Sequence, residues 1–89
     1  MADAFLKDPS AVLDYEFDWA AWLGADTIAS HTVTAEAGVT VMSSSATSTA
    51  TIVWLSGGTA GTDYDVTNQI VTAGGRTDER TMLIRCVER

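Results

Sequence analysis

The sequence predicts an all-β sandwich of about seven short strands, from three observations. Leu13, Tyr15, Phe17 and Trp19 alternate with Asp14, Glu16 and Asp18. That period of two puts aromatic side chains on one face of a strand and carboxylates on the other. Turn signals recur at short intervals, in Glu36-Ala37-Gly38, Ser56–Gly61 and Gly74-Gly75, with no helical period between them. The chain has 89 residues, 46% of them hydrophobic, which suits one globular core and leaves no room for a second.

In chain order, residues 1–10 read as an extended N-terminal arm, because Pro9 keeps Asp8 extended and no alternation is present. Residues 11–89 form the single sandwich domain. After the aromatic strand, Trp22-Leu23-Gly24 marks a turn. Residues 26–34 are rich in Thr, Ile and Val and form a strand. Val39 and Val41 give a short strand ending near Met42, and Ser43-Ser44-Ser45 reads as a polar loop. Residues 47–55 form a strand with Ala50, Ile52 and Trp54 on one face and Thr49, Thr51, Val53 and Leu55 on the other. Residues 64–73 form the next strand, the glycines 74–75 supply the positive φ angles of a tight reversal, and residues 80–87 close the fold.

Gly61-Thr62-Asp63-Tyr64-Asp65-Val66 puts a tyrosine just after a glycine-containing loop, where a late strand opens. This resembles the tyrosine corner of immunoglobulin-like domains, in which the phenol hydroxyl bonds back to the preceding backbone. Fibronectin type III modules carry a similar stretch. The expected fold is therefore an immunoglobulin-like (fibronectin type III-like) β-sandwich, with an up-and-down barrel as the alternative closure. Its core should come mostly from Tyr15, Phe17, Trp19, Ile28, Val33, Ile52, Trp54, Tyr64, Val66, Ile70, Met82 and Ile84.

The formal net charge is −7, from 12 Asp plus Glu against 5 Lys plus Arg. That balance argues against a nucleic-acid partner, since affinity for phosphate backbones comes mostly from Lys and Arg. The carboxylates lie mainly early and the arginines late, an asymmetry that serves either solubility or orientation between subunits. One cysteine, Cys86, allows no internal disulfide and no thiolate zinc site. The N-terminus lacks the basic start and apolar run of a signal peptide, and no stretch approaches the ~18 apolar residues of a membrane span. No membrane partner is expected.

Groups that could carry chemistry are sparse. His31 is the only histidine, in a Thr/Ser-rich strand with no Cys or carboxylate near it in sequence. An enzyme would have to be a small hydrolase built on it, and no catalytic residue is assigned. The row Asp14, Glu16, Asp18 could in principle attract Ca²⁺, but a flat strand face spreads its ligands, so a solvated or arginine-paired face is expected. The glycine pairs lack the following Lys-Ser/Thr of a phosphate loop. No cofactor or metal is expected. The pairs Trp22-Leu23 and Trp54-Leu55 put large apolar groups on both sides of a strand or strand end. One member of each should be exposed, or covered by a partner, a loop or the arm.

Lys7-Asp8-Pro9, Ala11-Val12-Leu13-Asp14-Tyr15, Asp18-Trp19, Trp22-Leu23, Asp26-Thr27-Ile28, the run Trp54–Gly61, Tyr64–Asn68 and the run Gly75–Thr81 together resemble a family of small proteins of tailed bacteriophages and prophages. The resemblance runs from about residue 7 to the end. It implies a virion structural protein without catalytic residues, assembled in the host cytoplasm. The expected role is a multi-copy capsid decoration or cement protein, with a neck, tail or baseplate module as the alternative. The expected partners are other virion proteins and further copies of the chain. The candidate interface residues are Phe5 and Leu6 of the arm, Trp22 and Leu55, and Arg76, Asp78, Glu79 and Arg80 of the last hairpin. Removing residues 1–6 is expected to leave the domain folded but to weaken its incorporation into the particle.

Overall fold

A computed structural model describes residues 3–87. Its elements are β1 (Asp3–Lys7), β2 (Leu13–Asp18), α1 (Ala20–Leu23), β3 (Ile28–Ala35), β4 (Val39–Ala46), β5 (Ala50–Gly57), β6 (Asp63–Thr72) and β7 (Thr77–Cys86). The strands form two sheets, ordered β1-β7-β6-β3 and β2-β5-β4. Every pairing is antiparallel except β1 with β7, which is parallel. The fold is all-β. The order is compatible with an immunoglobulin-like sandwich, where the second, fifth and fourth strands face the third, sixth and seventh. Here the first strand lies on the second of those sheets.

The core lies between the sheets. Tyr15, Phe17, Val53 and Leu55 from one meet Tyr64, Val66, Ile70, Met82 and Ile84 from the other, and Trp19 and Leu23 fill one end. Tyr64 behaves as its position implies: the Thr59 N–H donates to its hydroxyl at 3.0 Å, tying the β5–β6 crossing to the start of β6. Trp19 is fully buried, and its indole N–H donates to Asn68 Oδ1 at 2.8 Å. Asn68, also fully buried, returns its amide to Thr32 O at 3.0 Å. One side-chain pair thus links the junction between β2 and α1 to both β6 and β3, with its polar atoms satisfied away from water.

Several expectations are corrected. The segment expected as an arm contains β1, the edge of the larger sheet. Phe5 packs against the core with its ring 5.6 Å from that of Tyr15. The buried Lys7 ammonium donates to Gly57 O and Asp8 O. Truncation at residue 6 would therefore strip a strand. Ser43–Ser45 belong to β4, because pairing with Trp54, Val53 and Ile52 of β5 decides the local structure over side-chain preference. A register shift between Val41 and Ser43 bends the strand there. The stretch after Trp19 is a helical turn, opened by Asp18 Oδ1 accepting the Ala20 N–H. It carries Trp19 and Leu23 inward together, four residues apart. Of the two hairpin glycines, Gly75 alone has positive φ.

The largest correction is the facing of β5. Val53 and Leu55 are fully buried, Trp54 is 42% exposed and Ile52 is half-buried, the reverse of the core expected from Ile52 and Trp54. The register explains it. Directly opposed residues in a sheet share a face, and Tyr15 stands opposite Val53 while Asp14 stands opposite Trp54. Burying the β2 aromatics therefore turns Trp54 outward. Ile28 and Val33 are likewise half-buried rather than central.

Candidate interaction surfaces

The arginines of the β6–β7 hairpin lie back against the α1 turn, Arg80 half-buried and Arg76 with its side chain still 44% exposed. The Arg76 guanidinium lies 4.2 Å over the Trp22 ring and donates to Leu23 O at 2.9 Å. Arg80 lies 4.2 Å over the Trp19 ring and donates to Asp18 O at 2.7 Å. The two indoles meet edge to face, 5.4 Å apart. The result is a continuous stack, Arg76–Trp22–Trp19–Arg80, that clamps the hairpin onto the α1 turn. Cation–π contact over an indole is worth about 0.5–2 kcal/mol, depending on desolvation. These two arginines and the half-buried Trp22 serve first to hold the fold.

Asp26 completes the clamp. Its carboxylate accepts the Thr27 and Gly74 N–H groups at 2.9 and 3.0 Å and pairs with Arg76 Nε at 3.2 Å. The Thr72 hydroxyl, those backbone amides and the guanidinium lower its pKa from 3.8 to about 2, against a smaller opposing effect of desolvation. A carboxylate with a lowered folded-state pKa stabilises the protein above its ordinary pKa and loses that contribution as pH falls through the folded value. The hairpin should therefore loosen between about pH 4 and about pH 2, read by the change in tryptophan emission as Trp22 loses its cover. Asp26→Asn should loosen it already at neutral pH and flatten the dependence in that window. An unaltered acid transition in this variant would assign the effect to other carboxylates.

The other candidate residues are scattered. Asp78 and Glu79 are exposed at the start of β7, and Asp78 Oδ1 accepts the Glu79 N–H at 2.8 Å. Leu6 is exposed on edge strand β1, while Phe5 is half-buried. Leu55 is fully buried, so it forms core and no interface. His31 Nε2 lies 3.1 Å from Ser44 Oγ, and its other ring nitrogen has no hydrogen-bond partner among the described residues. This Ser–His pair lacks the third group that orients a catalytic imidazole. Among the described residues no three His, Cys, Asp or Glu side chains gather as a metal site, and no helix is long and apolar enough to cross a membrane.

The feature that sequence reasoning missed is the outer face of β2-β5-β4. Trp54 and Ile52 run along its middle strand. Asp14 and Glu16 stand opposite them on β2, and Ser43 and Ser45 on β4. The signal was present in the strict alternation of β2, which fixes the facing of any strand paired with it in this register. Exposed Met42, at the β4 irregularity, adds apolar surface on the strand beside β5.

No curated protein matches the chain. A family model described as Podophage GP4 fiber-tail adaptor protein gp77 matches residues 7–85, nearly the whole sandwich, and the chain belongs to that family of small tailed-phage virion structural proteins.

Proposed function

We propose that this protein is a structural adaptor of a podophage tail, joining fibre-side and tail-side proteins through protein–protein contacts. The observation that carries this reading is the family match across residues 7–85. It favours the tail-module alternative over capsid decoration, and it describes an adaptor. A sandwich with an internally clamped hairpin suits the role, because a rigid module transmits position between its neighbours with little loss of conformational entropy on binding. The protein acts in the virion, by contact with other virion proteins.

The test is quantitative mass spectrometry of purified particles, together with capsids and tails separated from one another. The protein should follow the tail fraction, at a copy number matching a tail ring or the fibres. Recovery with tail-free capsids, at shell-like copy number, would refute the adaptor reading. Absence from every particle fraction would refute a virion role altogether.

A further inference from the structure

We propose that the outer face of β2-β5-β4 is the adaptor's docking surface for a basic partner protein, one that covers Trp54 with an apolar group and meets Asp14 and Glu16 with Lys or Arg. The proposal rests on the adaptor reading and names which face is used and what chemistry it takes.

The apolar part of the face is Trp54, 42% exposed at the middle of the sheet, with Ile52 two residues away on the same side. A large aromatic exposed on a central strand, ringed by polar groups, is the kind of residue that dominates binding energy once water is excluded around it. The hydroxyl-bearing Ser43 and Ser45 on one flank and the carboxylates on the other provide the polar rim.

Charge selects the occupant. Successive outward residues on β2 are about 7 Å apart, and neither Asp14 nor Glu16 has an ion pair among the described residues. A second copy of this chain is poorly equipped to supply cations. Of its five Lys and Arg residues, Lys7 is buried on backbone carbonyls and Arg76 and Arg80 lie on tryptophan rings. Arg85, although its side chain is 53% exposed, already pairs with Asp63 at 3.3 Å, and Arg89 lies outside the described residues. Two such chains, each of net charge −7, would meet carboxylate against carboxylate. Nucleic acid is repelled by the same charge. The complementary surface belongs to a different, basic protein, and the attraction would speed encounter and weaken with salt.

The experiment uses the full chain, produced in the infected host from a complementing plasmid, with purified particles as the readout. Trp54→Ser and the double variant Asp14→Lys/Glu16→Lys lie on the solvent side of the sheet, so their melting temperatures should stay near wild type. Their occupancy in particles should fall by about tenfold or more. A photo-crosslinking amino acid at position 54 should join the chain, in intact particles, to a Lys- or Arg-bearing peptide of another virion protein. Wild-type occupancy by both variants, with the wild-type chain present in particles, would overturn the docking face and leave the adaptor reading standing. Crosslinking to a second copy of this chain would overturn the choice of partner. Absence of the wild-type chain from particles would instead overturn the adaptor reading. If a variant melts early, the crosslink in the otherwise folded chain decides the matter.

Discussion

Trp19→Ala should remove about 4–8 kcal/mol, the larger part of the stability expected of a domain of this size. Removing a buried tryptophan costs about 3–5 kcal/mol through lost burial and the cavity left behind. Asn68 Oδ1 then loses its indole donor in a fully buried site, adding about 1–3 kcal/mol. Arg80 loses the ring it covers, and Trp22 its edge-to-face partner. A domain of this size is expected to have roughly 4–13 kcal/mol in total, at 0.05–0.15 kcal/mol per residue. Urea titration and the dispersion of amide NMR resonances check the outcome. A variant that still unfolds cooperatively within a few degrees of wild type would show that Trp19 is not the centre of the core. Trp19→Phe separates the contributions, because it keeps most of the ring volume and removes the N–H. It should cost about 2–3 kcal/mol. In a double-mutant cycle with Asn68→Leu it should show a coupling on the order of 1 kcal/mol.

Gly58→Ala should lower the melting temperature by about 10 °C or more, at about 4–8 °C per kcal/mol for a domain of this size. Two causes act together. Gly58 has φ of 104°, a region that side chains rarely adopt, at a cost of about 1–3 kcal/mol. A β-carbon there would also overlap Cys86 Sγ, fully buried in the core beneath the loop. Forcing a methyl group into such a site costs about 1–3 kcal/mol more. Gly61 is a control from the same loop: its φ is 84°, with nothing within 4 Å of an added β-carbon. Gly61→Ala should therefore show the conformational cost alone. Adding Cys86→Ala should relieve the overlap in Gly58→Ala, so that the double variant is more stable than the two single effects predict. Strict additivity would rule out the overlap as a cause.

For the candidate surface, the sequence supplied the residue types and the structure supplied their company. Arg76 and Arg80, with charges and a tight turn around them, read as interface groups. They are engaged by tryptophans and carbonyls more than fifty residues earlier in the chain, including Leu23 O for Arg76 and Asp18 O for Arg80. Nothing in local spacing encodes such a contact. Trp54 and Leu55 were visible as a pair of which one is surplus to a two-layer core, and that much was correct. Which one faces inward depends on pairing partners, and the answer moved Trp54 from the core to the surface.

The all-β class, the inward face of β2, the glycine-marked turns and the anchoring role of Tyr64 are legible in the linear order of residues. Each is a property of period, of turn chemistry or of a contact spanning only a few residues, as in the bond from Thr59 to Tyr64. Contacts between distant segments set the parallel pairing of Asp3–Lys7 beside β7, the extension of β4 through a serine run, and the solvent-facing side of Trp54. The physical reason is common to all three. A strand with no alternation, or with apolar residues on both faces, has no preferred side of its own. It takes its place and its facing from the hydrogen-bond register of the strand beside it.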